Sequence, residues 1–305
     1  MTTVFCNPSK PEPKLREHLY AGDRMIFSAI ESTRAVGQHA REMIQAAFGE
    51  LDPLTAQFHM SVEEYVAIVA PLKPQFIHHP KTKELIRNML VSVGCDPEKT
   101  YFDVPRLRMV TSDAYLTTGV GYAHHAHRDT WYSAPMQQLN WWIPLVDITE
   151  ENTIAFHPYY WDHPLKNGSR NFNYYEWNGL RKNVAQHVKS DTRVQPKAEE
   201  EITYFDPHIR TVCDKDGIVL FAAAHLHTTI PNTSGYTRYS IDFRTINFDD
   251  VVNRIGAPNL DSEPQGTSLR DFMRVSDMER MPEDVVQLYE NANPAEGVLI
   301  FQPEG

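Results

Sequence analysis

Apolar positions in the first third of the chain recur with a helical period. Between Glu31 and Glu50, Val36, Ala40, Met43, Ile44 and Ala47 fall on one stripe, which predicts a helix there. Ser61 with Glu64 three residues on is a capping-box pair, and a second helix is predicted to start at Ser61. A third is expected from about Pro80 to Val93, with Leu85, Ile86, Met89, Leu90 and Val93 on one face and Gly94 as its stop. Residues 1–15 read as a loose arm. From Tyr101 the texture changes to short runs rich in β-branched and aromatic residues. Strands are predicted at 101–111, 115–123, 125–131, 137–147, 153–157, 217–227 and 236–247. An amphipathic helix interrupts them near 176–189, where Trp177, Leu180, Val184 and Val188 share a face. The last stretch reads as irregular, with a short helix beginning at Pro282.

Helices first and antiparallel strands after point to the α+β class, with helices packed on a double-sheet barrel or jelly roll. The expected layout is one domain over residues 1–305. Its parts are a helical region at about 16–95, a β core at about 101–250 with a helical insert at about 159–200, and an extension at 251–305. Two of the strands alternate sharply. In 138–145 one face is Leu139, Trp141, Ile143 and Leu145, and the other is Gln138, Asn140, Trp142 and Pro144. In 236–244, Tyr239, Ile241 and Phe243 oppose Arg238, Ser240, Asp242 and Arg244. Alternation by itself favours turning the polar face to bulk water. The other reading is that this face lines a wet cavity.

Composition narrows the function class. A hydrophobic fraction of 41% in 305 residues permits a sizeable core. The net charge of −11, with no Lys/Arg-rich run, argues against nucleic acid or an anionic membrane as partner. Cys6, Cys95 and Cys213 form no CxxC pair or disulfide framework, which fits a reducing cytosol. The N-terminal stretch lacks the apolar core of a signal peptide, and no stretch approaches the ~18 apolar residues that span a membrane. A cytoplasmic protein acting on a small molecule is expected, and nothing indicates an oligomer.

The chemistry is concentrated in Gly121–Trp131, GYAHHAHRDTW. His127 and Asp129 are one residue apart, so on a strand both side chains leave the same face. An imidazole and a carboxylate so placed bind one metal ion from one side. A third ligand must come from another strand, and His225-Leu226-His227-Thr228 ends the apolar run Gly217–Ala224. Two histidines and one carboxylate on one face of the ion leave three coordination positions open. An HxD tripeptide alone is common by chance. The segment HTTIPNTSGYTRYS adds to it, with Arg238 eleven residues after His227 and Ser240 two further, on one strand face. A guanidinium forks onto a carboxylate, with the hydroxyl as a second donor. The bland alternative for Arg238 is an ion pair with Asp242 or a surface charge.

Taken together, His127-Arg128-Asp129, His227 and Arg238-Tyr239-Ser240 resemble the phytanoyl-CoA dioxygenase-like branch of the Fe(II)/2-oxoglutarate oxygenases. Glu151–Pro158 also resembles that family's strand, which follows an Asn and ends in Pro, and the likeness covers about residues 101–247. It implies a double-stranded β-helix (jelly-roll, cupin-like) core, with His127, Asp129 and His227 as metal ligands. It implies Arg238 and Ser240 as the seat of the 2-oxoglutarate carboxylate, and O2 as the other cosubstrate. A carboxylate at 129 argues for hydroxylation, desaturation or cyclisation over chlorination, because halogenating relatives carry Gly or Ala there. Pro158-Tyr159-Tyr160-Trp161 departs from the family's usual Pro-Gly-Ser-His, and the gap from Asp129 to His227 is longer than in compact members.

Asn140 and Trp142 are offered as further cosubstrate contacts. The spacing to Arg238 favours His227 over His225 as ligand, leaving His225 beside the metal or facing substrate. His124 and His125 read as loop or packing residues, and His157, His163, His187 and His208 as structural. Trp131, Tyr132, Trp141 and Trp142, with further aromatics over 159–177, are either core or the wall of an aromatic pocket. Arg106 and Arg108 receive a substrate carboxylate or form ion pairs. Three other readings stand beside this one: a cupin-type isomerase or dioxygenase without a 2-oxo acid, a non-catalytic ligand-binding sandwich, and a zinc hydrolase. The last lacks any HExxH motif.

Overall fold

The computed structural model describes residues 2–9, 11–116, 125–179, 195–202 and 208–293. Four helices open the chain: α1 (Glu12–Tyr20), α2 (Glu31–Phe48), α3 (Val62–His78) and α4 (Pro80–Ser92). The stripe Val36, Ala40 and Ile44 of α2 is buried, as its period requires. The capping box of α3 is present, with Glu64 N–H donating to Ser61 Oγ at 3.3 Å and Ser61 N–H donating to the Glu64 carboxylate at 2.8 Å.

The strands are β1 (Val4–Cys6), β2 (Arg24–Phe27), β3 (Thr100–Phe102), β4 (Arg106–Val110), β5 (Leu139–Pro144) and β6 (Ile154–Phe156). They continue as β7 (Ile209–Thr211), β8 (Ile218–Ala222), β9 (His227–Thr229), β10 (Arg238–Asn247) and β11 (Met273–Arg274). Three short α-helices follow, α5 (Tyr174–Gly179), α6 (Phe248–Asn253) and α7 (Glu283–Gln287). The large sheet runs β1-β2-β8-β5-β10-β3-β11, with β4 also paired to β10, and the small sheet runs β7-β6-β9. The architecture is an α+β jelly roll with the N-terminal helices packed on its large sheet. Among the described residues, no helix is long and apolar enough to cross a membrane.

The outer face of the large sheet takes the helices. Tyr239, Ile241 and Phe243 of β10 and Trp141 and Ile143 of β5 share one apolar cluster with Ile44, Val69, Phe76 and Met89. On the inner face Trp142, Val219 and Phe221 pack against Ile154 and Phe156 of the small sheet. That covering sheet overturns the water-facing reading of the polar alternation. Arg238, Ser240 and Asn140 are 3%, 0% and 6% exposed.

Several expected boundaries shift for identifiable reasons. The loose arm is instead β1 and the start of α1. Val4 pairs in parallel with Arg24, and β2 pairs antiparallel with β8, Met25 opposite Leu220. Three-residue strands carry no periodic signal of their own, so only the distant partner creates them. The strand at 101–111 breaks into β3 and β4 around Pro105, which lacks an N–H for the ladder, and both pieces pair with β10. Residues 125–131 are not a strand: His127 makes a single bridge to His227, and Asp129–Tyr132 forms a 3-10 turn. The expected strand at 115–123 and the helix at 176–189 extend outside the described residues, and of the latter α5 is seen.

Candidate metal centre

The long apolar run predicted as one strand is two strands in two sheets. β8 ends at Ala222 in the large sheet, the chain crosses over Ala223–Leu226, and β9 begins at His227 in the small sheet. The segment around residue 127 grips both sides of this crossing. His127 and His227 exchange backbone N–H···O bonds, each of 3.0 Å, and Asp129 N–H donates to the Ala223 carbonyl at 3.0 Å. The backbone thereby brings His127 and Asp129 against His227. The side chains meet as strand parity anticipated, but through a bridge and a tight turn.

One ligand atom from each of His127, Asp129 and His227 lies within 4.8 Å of the others. His127 Nε2 is 3.2 Å and His227 Nε2 3.9 Å from Asp129 Oδ1. The other ring nitrogens are committed. His127 Nδ1 lies 2.8 Å from the His125 carbonyl and His227 Nδ1 3.0 Å from the His225 carbonyl. A carbonyl only accepts, so each Nδ1 carries a proton and each Nε2 is the ring atom turned to the shared point. Burial, reinforced by neighbouring His127, lowers the His227 pKa to about 4 and keeps the ring neutral. Burial works to raise the Asp129 pKa, but the neighbouring His127, His227 and Asn140 side chains bring it down to about 2. Two ring nitrogens and a carboxylate oxygen thus face one another, an arrangement that needs a shared proton or a metal cation among them. The donor set fits a divalent first-row metal held on one face.

Around Asp129, Gln138 Nε2 donates to Oδ2 at 3.3 Å and to Asn140 Oδ1 at 2.9 Å, while Arg244 Nε lies 3.7 Å from Oδ2. Asn140, offered from sequence as a cosubstrate contact, is placed against this ligand. Arg238 donates through Nη1 to the Asn152 carbonyl at 3.1 Å, and its guanidinium lies 5.4 Å above the Trp142 ring. Arg238 Nε and Ser240 Oγ are buried without a partner. The bland reading of Arg238 as the partner of Asp242 does not hold. Arg108 takes that carboxylate with both prongs, at 2.7 and 3.2 Å. Arg106 likewise pairs with Asp103 at 2.7 Å, so both arginines of β4 form ion pairs.

His225 stands outside the triad. Its ring packs against Trp161 at 4.4 Å and Phe156 at 5.6 Å, and its carbonyl orients His227. His125 packs near His127 in the same manner, with its pKa lowered to about 3 by burial first and by His127 second. His163 is exposed and contacts the Tyr159 carbonyl, while His124 and His187 lie outside the described residues. Trp131 is core, bonded through Nε1 to Asp261 at 2.8 Å, and Trp141 is core on the outer face. Tyr132 is different: its ring stands edge-on to His127 at 5.4 Å and meets Phe172 and Trp177.

Arg128, between the two ligands, points away and ties the carbonyls of Ala224, Tyr160 and His163 to Asp261. Sequence reasoning did not single out Gln138, Arg244 or Arg24. Shared face parity with Asn140 and Arg238 signals the first two. Arg24, on a strand that pairing alone creates, has no local signal.

A family model described as phytanoyl-CoA dioxygenase matches residues 20–240. No curated protein matches the chain. Similar solved structures include EvdO2 from Micromonospora carbonacea var. aurantiaca, 14% identical over 78% of this chain and 92% of that one, with a TM-score of 0.45. Another is the epimerase SnoN in complex with Fe3+, alpha ketoglutarate and nogalamycin RO, at 13% identity, 77% and 84% coverage and a TM-score of 0.41. AviO1 from Streptomyces viridochromogenes Tue57 is 12% identical over 83% of this chain and 100% of that one, with a TM-score of 0.39.

Proposed function

Because the chain belongs to the phytanoyl-CoA dioxygenase family, we propose that it hydroxylates a small organic molecule, with His127, Asp129 and His227 as its iron ligands. It is a 2-oxoglutarate-dependent non-haem iron enzyme by that membership. The observation that carries the residue assignment is the convergence of two Nε2 atoms and an ionised carboxylate within 4.8 Å, with both Nδ1 protons spent on carbonyls. In this reading Arg238 and Ser240 seat the distal carboxylate of 2-oxoglutarate, and Trp142 floors that seat. The unpartnered Arg238 Nε and Ser240 Oγ support it, since buried donors without acceptors are costly and a carboxylate would satisfy both.

When bound, ferrous iron supplies the oxidising chemistry, in which 2-oxoglutarate and O2 become succinate and CO2 and one oxygen atom passes to substrate. The chain's own part is positional. The carbonyls of His125 and His225 lock the imidazoles, so that His127, Asp129 and His227 would hold the metal from one face. Arg238 fixes one end of the cosubstrate, and the edge of Tyr132 flanks the His127 ring where an apolar substrate surface would pack.

The test is metal titration of anaerobically purified protein, followed by succinate measurement over a panel of small metabolites. About one equivalent of ferrous iron is expected to bind, and to be lost in His127→Ala. Retention of the metal by that variant would overturn the ligand assignment. Turnover without succinate would point instead to a cupin enzyme that needs no 2-oxo acid.

A further inference from the structure

Resting on the reading of His127, Asp129 and His227 as metal ligands, we infer that Gln138 is a positioning residue for Asp129. Its amide holds the outer carboxylate oxygen so that Asp129 offers Oδ1 alone, and the same amide fixes which way the neighbouring Asn140 amide faces.

Gln138 Nε2 has two hydrogens and two acceptors, Asp129 Oδ2 at 3.3 Å and Asn140 Oδ1 at 2.9 Å. An asparagine whose Oδ1 accepts from Gln138 has its Nδ2 turned the other way, and the nearby Asn140 amide helps hold the Asp129 carboxyl ionised. Were the Asn140 amide to flip, its oxygen would face the carboxylate and its NH2 would face the NH2 of Gln138. Both contacts would then be repulsive. Gln138 thus selects the one amide orientation in which Asp129 meets donors only.

The frame under these side chains is rigid. The Ala223 carbonyl accepts from Asp129 N–H at 3.0 Å, and Ala223 N–H donates to the Gln138 carbonyl at 2.9 Å. One residue therefore clasps ligand and positioner together. Gln138 and Asn140 are 3% and 6% exposed, so water does not readily replace either bond. Arg244 adds positive charge near the same oxygen at 3.7 Å and is itself held by Asp103, which accepts from its backbone N–H at 2.7 Å. With Oδ2 occupied by donors, the carboxylate cannot swing to chelate with both oxygens. A bidentate Asp129 would take one of the positions that cosubstrate and O2 need.

Cobalt(II) serves as the probe, since its visible spectrum reports coordination number. Apo protein is titrated with Co(II) in wild type, Gln138→Met, Asn140→Leu, the double variant and His127→Ala, with apo unfolding temperature as the control for folding. Gln138→Met should weaken Co(II) binding by about tenfold or more and shift the spectrum toward higher coordination. Its effect and that of Asn140→Leu should combine less than additively, because the second loss removes what the first has already disordered. Wild-type affinity and spectrum in folded Gln138→Met would overturn the inference, as would full additivity. If Gln138→Met does not fold, Asn140→Leu carries the same spectral test. Unchanged Co(II) binding by His127→Ala would instead defeat the ligand reading, a separately visible result.

Discussion

On the outer face of β10, Tyr239, Ile241 and Phe243 are 1%, 0% and 0% exposed and fill the cluster beneath the helices. On the inner face of the same strand Arg238 and Ser240 are buried to the same degree, yet Arg238 Nε and Ser240 Oγ meet no partner. Equal burial has opposite energetic sign on the two faces. An apolar side chain gains on leaving water, whereas a guanidinium stripped of water loses unless an anion or acceptors replace it. Burial lowers the Arg238 pKa to about 10, the same penalty in another form. The outer face therefore stabilises the fold, and the inner face carries a cost that the carboxylate of the proposed cosubstrate would offset.

This separation can be broken or sharpened by substitution. The largest effect is expected from His227→Ala, which should abolish both iron binding and succinate formation while leaving apo unfolding nearly unchanged; loss of the apo fold would make the histidine structural. Phe243→Ala, on the outer face, should cost about 3–5 kcal/mol in denaturant unfolding. Its KM for 2-oxoglutarate should stay near wild type in the folded protein, and a large change there would show that the two faces are not independent.

Arg238→Ala should raise that KM ten- to hundredfold, in keeping with the roughly 1.5–3 kcal/mol of a charged hydrogen bond. Its unfolding free energy should hold or increase, and a drop of several kcal/mol would make Arg238 a structural residue. The smallest effect belongs to Arg24, 2% exposed, stacked at 4.7 Å on Phe156, with none of its guanidinium nitrogens partnered. Arg24→Met should leave turnover unchanged and stability equal or higher by up to ~1 kcal/mol, as replacing an uncompensated buried charge predicts. Clear destabilisation in a urea series would show that the stacking outweighs desolvation.

The sequence by itself determined what local repetition can encode: the period of α2, the capping box of α3, and the parity that sets Arg238 with Ser240 and Leu139 with Trp141. It also brought out the residue types of the triad, because HxD and the eleven-residue step from His227 to Arg238 are spacings along the chain. Which way the polar faces of β5 and β10 turn was not readable, since alternation is the same whether water or a second sheet lies beyond. Nor was the crossing at Ala223–Leu226, where an unbroken apolar run changes sheets to bring His227 opposite His127. Strands β1 and β2 exist only through pairing with one another and with β8, and the grip of Gln138 on Asp129 only through the backbone of Ala223 that both share. Periodicity is a property of neighbours in sequence, whereas hydrogen-bond partners and charge burial depend on neighbours in space, and those are set when the sheets close over one another.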